Sequence, residues 1–176
     1  MTQLIAALTL SLMCSQVLAL TSWVEQRDLG VVKQQRDYSC GAAAVATLLT
    51  YHWGREVSES DVLNAWLAQF SQAELSLQTF VDEGFSLWHI AVMGSPLGYD
   101  AQGLQVPIAS LAALKQPLLI YVEPFGQPHF TLVTEGSERG VWLSDPSWGR
   151  VHVGFSELRD WVDGEVVKAL WLKPAA

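Results

Sequence analysis

The sequence predicts an α+β domain with helices first and an antiparallel sheet after them. Two features of the chain carry that reading. The first half holds an Ala- and Leu-rich run over 41–51 and a second stretch at helical spacing after Ser58. The second half holds short runs rich in Val, Leu, Ile, Phe, Tyr and Trp, divided by turn residues. No internal repeat, low-complexity tract or linker interrupts the 176 residues, so a single domain is expected.

The elements follow in order. Residues 1–20 carry no charged side chain, 4–13 are an apolar run of ten, and Val17 and Ala19 set small residues for a signal-peptidase cut. We therefore read 1–19 as a signal peptide and 20–176 as the domain. The apolar run is shorter than the ~20 residues a spanning helix needs. Residues 20–33, ending Gly30-Val31-Val32, read as a first strand or extended arm. A helix should start at Ser39-Cys40 and stop by Gly54. Ser58 is placed to cap the next helix, with Asp61 three residues on as in a capping box, and Val62, Ala65, Trp66 and Phe70 follow at helical spacing. Further helix is expected over 77–80 and over 85–93 after Gly84. Strands are expected at 118–123 (LLIYVE), 130–135 (FTLVTE), 141–144 (VWLS) and 150–154 (RVHVG), a helix at 155–161 and a last strand at 166–172.

Composition narrows the function. Charged residues make up 16%, against about 25% in an average soluble domain, and half the chain is hydrophobic, which excludes a disordered protein. Ten Lys and Arg against 18 Asp and Glu leave a net charge of −8, with no basic stretch. A phosphate-binding face is therefore not expected, and nucleic acid is excluded as a partner. Eight Trp point to a core or groove rich in flat aromatic surface. Two cysteines, Cys14 and Cys40, are too few for a disulfide scaffold or a structural zinc site. A signal cut after Ala19 leaves Cys40 as the lone thiol, either packed as a small hydrophobe or used chemically.

The chemical use is favoured because partners exist. Cys40 falls at a helix start, where about half a positive charge favours thiolate over thiol. Gly41 beside it permits close approach of backbone or substrate. Gln34, six residues upstream, can aim its amide at the oxygen of an attacked carbonyl. A thiolate nucleophile needs a base and the base an orienter. Of the four His, His52 lies about 18 Å along the same helix at ~1.5 Å per residue. His89 reads as a packed or surface residue, and His152 alternates with two valines and points away from their face. His129 begins a strand after the Gly126-Gln127-Pro128 turn. Asp145 ends the next one, and in an antiparallel hairpin those two positions are neighbours. Asp145 also precedes Pro146, where a turn-forming role is the competing reading. Trp148 either lines a substrate subsite, shields the His129–Asp145 pair, or packs on the sheet edge. Tyr38 is a further candidate subsite wall. No short-spaced ligand pair calls for a metal, and no cofactor is expected.

The segments QQRDYSCGAAAVATLL, PHFTLV and SDPSWGRVHVGFSELRDW together resemble the C39 peptidases, papain-like cysteine proteases known for processing the leader peptides of bacteriocins. The resemblance implies a papain-like fold, a helical half with the nucleophile helix packed on a C-terminal antiparallel sheet. It also implies Cys40 as nucleophile, His129 as base, Asp145 as orienting acid and Gln34 as the oxyanion-hole residue, Gln35 being the less fitting alternative. Substrate contacts would fall to Tyr38, Gly41 and Trp148. Unlike exporter-type members, the chain shows no run near 18 apolar residues after residue 20 and no GxxxxGK[ST] motif, so no transmembrane domain beyond the signal segment and no ATP binding are expected. The expected activity is a cysteine endopeptidase acting in the periplasm or outside the cell on a secreted peptide or protein. The partner is expected to be that substrate or a secretion-system component. Three readings compete with it. One is a catalytically silent peptide-binding module assisting a secretion or amyloid-export system, the second an acyl transferase or amidase using the same triad, the third a structural domain with an accidental triad.

Overall fold

A computed structural model describes residues 22–70 and 84–175. The signal-peptide expectation at 1–19 and the short helix expected over 77–80 lie outside these residues.

Of the segment expected as a strand or extended arm, residues 22–33 are not a strand. Trp23–Asp28 form a helix, α1. Ser22 Oγ accepts from the Glu25 N–H at 3.1 Å and Glu25 Oε2 accepts from the Ser22 N–H at 2.7 Å. That reciprocal cap and the helix-favouring Glu, Gln and Arg outweigh the β-branched content of the segment. The extended arm survives only past Gly30, where the Val32 N–H bonds Thr47 Oγ1 at 3.0 Å.

Cys40–Tyr51 form α2, whose residues from Cys40 to Leu49 are all buried. A helix apolar all round belongs in the interior. Its alanines have no side chain beyond Cβ, so neighbouring layers approach closely on every side. Glu59–Leu67 form α3, capped as the spacing of Ser58 and Asp61 predicts. Val62 and Trp66 are buried; Phe70 lies beyond the helix end, its ring edge-on to Trp66 at 5.2 Å. Leu87–Met93 form α4, where His89 fills the third capping position, its Nδ1 accepting from the Ser86 N–H at 3.0 Å.

Among the described residues, six strands form one antiparallel sheet in the order β1-β6-β2-β3-β4-β5. They are β1 (Tyr99–Pro107), β2 (Leu118–Val122), β3 (His129–Ser137), β4 (Gly140–Asp145), β5 (Gly149–Gly154) and β6 (Val166–Pro174). Helix α5 (Phe155–Val162) links the last two. β1 carries no apolar run because it is an edge strand with only Tyr99 buried. The last strand, β6, inserts between β1 and β2. One sheet face packs Leu119, Phe130, Leu132, Leu170 and Leu172 against α2, α3 and α4. The other packs Ile120, Val133, Val141, Leu143 and Val167 against α5 and the 3-10 turn Ile108–Ala113.

The approach of α4 to α2 depends on Gly41. A Cβ there would fall 2.1 Å from Ile90 Cδ1 and 3.3 Å from the Phe130 ring. Ile90 is fully buried and cannot swing clear. Gly41→Ala is expected to destabilise the fold by about 1–3 kcal/mol through overpacking. Denaturant unfolding checks this, and an unchanged midpoint would show that α4 can shift freely.

Candidate active site

The His and Asp predicted from the hairpin meet. Leu132 pairs with Ser144 and Val133 with Leu143. By strand alternation, His129 and Thr131 share the face of Val133, and Asp145 shares that of Leu143. One residue past the Leu132–Ser144 pair, Asp145 stands opposite Thr131, which makes His129 its diagonal neighbour. Diagonal pairs are within reach of long side chains. His129 Nε2 lies 2.7 Å from Asp145 Oδ2, with His129 9% exposed and Asp145 fully buried.

Asp145 both pairs with His129 and closes the turn after β4. Its Oδ1 accepts the backbone N–H groups of Ser147 at 2.8 Å and Trp148 at 2.9 Å, forming the turn after β4. Its Oδ2 is thereby left for the imidazole. Burial pushes this carboxyl up. The His129 hydrogen bond, the His129 charge and the Trp148 N–H pull it down further, so it stays below the usual carboxylate range.

Cys40 reaches the same imidazole from the other layer. It is the first residue of α2, 8% exposed, and lies close enough to His129 for its side chain to act on the charge of the imidazole. With Nε2 held by Asp145, Nδ1 is the nitrogen left for a partner on the other side of the ring. Burial lowers the pKa of His129, but bonding and charge from Asp145 and Cys40 prevail and raise it to about 9. The ring is therefore an imidazolium at neutral pH. The first N–H groups of any helix lack intrahelical acceptors. Here Ser39 occupies the N-cap without a side-chain cap bond, so the amides at the tip of α2 remain open beside the thiol.

Gln34 is stitched to the turn that follows Asp145. Its backbone N–H donates to Pro146 O at 3.1 Å, and its Oε1 accepts from Ser147 Oγ at 2.8 Å. The oxygen of the amide being occupied, Nε2 is the end left to act as a donor. One of its hydrogens goes to Arg36 O at 3.1 Å. Gln35 is exposed on the surface, with its backbone N–H turned to Glu59. Sequence reasoning missed Ser147; the only signal was a hydroxyl residue inside DPSWG.

Trp148 lies against His129 with ring centroids 5.4 Å apart, and against Trp161 at 5.6 Å. It is 36% exposed, so it covers the imidazole on one side and meets solvent on the other. Tyr38 is half-buried, with its ring 6.2 Å from that of Phe85. Gly41 is buried, and the group that approaches it is Ile90. His52 is at the far end of α2, and His152 is exposed beside Trp142. Among the described residues, no three His, Cys, Asp or Glu side chains are placed to hold a metal.

The chain is similar to a probable functional amyloid protease, FapD, of Pseudomonas aeruginosa, at 30% identity over 133 residues, 76% of this chain and 57% of that one. It thus spans little more than half the length of that protein. The peptidase domain of Streptococcus ComA, a bi-functional ABC transporter involved in quorum sensing, superposes with a TM-score of 0.64 at 17% identity, covering 82% of this chain and 97% of that one. A double glycine motif protease from an AMS/PCAT transporter, solved with its leader peptide, gives 0.61 at 20% identity, covering 82% and 91%. The papain-like arrangement of helices on an antiparallel sheet is therefore the fold of C39 peptidase domains. With the family model for peptidase C39 matching residues 28–167, the chain belongs to the peptidase C39 family.

Proposed function

We propose that the chain is an endopeptidase that cleaves a secreted peptide or protein through a cysteine thioester. The observation that carries the proposal is the imidazole of His129 held between Cys40 and a buried Asp145 in a chain of this family. Cys40 Sγ attacks the scissile carbonyl carbon. The oxyanion takes hydrogen bonds from the Cys40 backbone N–H and from Gln34 Nε2. His129 Nδ1 gives its proton to the leaving amine as the C–N bond breaks. A water molecule then passes a proton to His129 and attacks the thioester, releasing Sγ and a carboxylic acid product. Asp145 keeps the ring oriented and stabilises its charged form. Trp148, whose ring lies beside the imidazole, and Tyr38, two residues before Cys40, are candidate subsite walls.

The signal-like N-terminus supports a periplasmic or extracellular setting, with the substrate travelling the same secretion route. The similarity to a probable functional amyloid protease supports amyloid export as one such route. Purified protein incubated with the proteins encoded beside it should generate new termini, located by mass spectrometry. Cys40→Ala should remove them while keeping the fold. Turnover retained in that variant would end the cysteine reading. If wild type gives no new termini and no labelling by a thiol-reactive peptide electrophile, the chain is a peptide-binding module instead. Gln34→Ala should lower kcat by about 10²–10³ with little change in KM. An unchanged kcat would move Gln34 to a structural role.

The charged imidazole has a pH signature. A folded-state pKa of about 9, above the ordinary value of 6.5, means that the folded chain holds a proton the unfolded chain has lost. That stabilisation is complete below about pH 6.5, shrinks as pH rises and is gone above about 9. Asp145 has the opposite sign and loses its contribution as pH falls through the acidic range. Asp145→Asn should lower the NMR titration midpoint of His129 by a unit or more and cut kcat by about 10²–10⁴. A midpoint still near 9 would remove Asp145 from the pair.

A further inference from the structure

Behind the loop that brings Gln34 to the tip of α2 lies a carboxylate that the chemistry above does not use. Glu59, the first residue of α3, has no exposed surface. A charged residue is seldom fully buried unless paired. The partners of Glu59 lie in the short segment between Gln34 and Cys40. Oε1 accepts the Gln35 N–H at 3.0 Å and faces the Ser39 hydroxyl in a short contact. Oε2 accepts from Arg36 Nη1 at 3.2 Å. The carbonyl oxygen of that same Arg36 receives Gln34 Nε2 at 3.1 Å and the Ser39 N–H at 3.2 Å, and is the alternative acceptor, at 2.8 Å, for the one hydrogen of the Ser39 hydroxyl.

Two paths therefore start at this carboxylate. One runs through Arg36 to the amide nitrogen of Gln34. The other runs through Ser39, the N-cap of α2. A serine at an N-cap ordinarily accepts an N–H from the first turn. Here its hydroxyl faces Glu59 and Arg36 O and makes no cap bond, so the first amides of α2 are not covered by it. The Arg36 side chain is 42% exposed, and an ion pair of that kind contributes little alone. The stronger constraint is the buried acceptor that Glu59 offers to Gln35 and Ser39.

We propose that Glu59 is a positioning residue for the oxyanion side of the site. It holds the 35–39 loop so that Gln34 presents its N–H and the tip of α2 stays uncapped beside Cys40. The proposal rests on the peptidase reading above. Glu59 touches no reacting atom; its effect passes through Arg36 and Ser39.

The test uses the full chain with Glu59→Ala and Glu59→Gln. The glutamine keeps an oxygen for Gln35 and Ser39 and gives up the charge opposite Arg36. Glu59→Ala should lower kcat about 10–100-fold, as misplacement of a catalytic donor does, with KM within about threefold. Alkylation of Cys40 by iodoacetamide should keep its rate and pH profile, because Cys40, His129 and Asp145 are untouched. Hydrogen exchange at the Gln35 amide should quicken by about tenfold or more. Glu59→Gln should recover most of kcat and most of that protection. An unchanged kcat in Glu59→Ala overturns the proposal. So does loss of alkylation in parallel with turnover, which would make Glu59 a support of the whole fold, or a glutamine variant no better than alanine. If wild type hydrolyses no peptide, the peptidase reading fails by itself; Gln35 exchange unchanged by the substitution would then refute the positioning role independently. Should Glu59→Ala not fold, Arg36→Met combined with Ser39→Ala cuts both paths and is judged by kcat, KM and the alkylation rate.

Discussion

A carboxylate with no exposed surface faces an imidazolium that is nearly as buried, 2.7 Å away. Taking both charges from water is costly, and the attraction between them offsets that cost only when the remaining acceptor sites are also filled. Asp145 meets the condition because the turn after it returns two backbone N–H groups to its other oxygen. Turn and ion pair therefore stand together. The carboxylate cannot rotate away from His129 without leaving two amides unpartnered, and the turn cannot open without exposing the pair. Trp148, whose N–H is one of those amides, lays its ring beside the imidazole and limits access of water from that side.

The rest of the site is a matter of bringing a second layer to that pair. Cys40 belongs to the helix on one face of the sheet, whereas His129 and Asp145 point toward the other face, so the meeting happens at the end of β3. It is held by stitches between the arm before α2 and the turn after β4. Besides the two Gln34 bonds, Lys33 Nζ donates to Ser147 O at 2.6 Å. The turn is backed in turn by α1: a Cβ at Gly149, whose φ is +83°, would fall 2.4 Å from Asp28 Oδ1. Charge at the sheet end and hydrogen bonding at the helix tip are thus parts of one assembly.

Much of this was legible in the chain, and the reasons are local. α2 and α3 announce themselves because an Ala-rich run and a capping box act over three or four residues. The strands from β2 to β6 do so because buried β-branched and aromatic runs sit between turn signals. β1 was not legible: its Gln, Gly and Asp residues belong to an edge with one face in water, and its partner β6 comes last in the chain, with four strands and a helix between them. α1 was misread because two residues of a capping box decided the conformation of a segment whose apolar content reads as extended.

By itself, the amino-acid order determined which groups could react. A thiol at a helix start, a histidine at a strand start and an aspartate at the end of the next strand are set by local propensity and hairpin geometry. Tertiary structure alone decided which nitrogen of His129 faces Asp145, that Ser147 occupies the oxygen of Gln34, and that Glu59 lies sealed behind the loop. The physical reason is range. Backbone preferences act within a turn or a strand pair, whereas burial, the charge state it imposes and bonds between residues more than a hundred positions apart arise only when the layers close on each other.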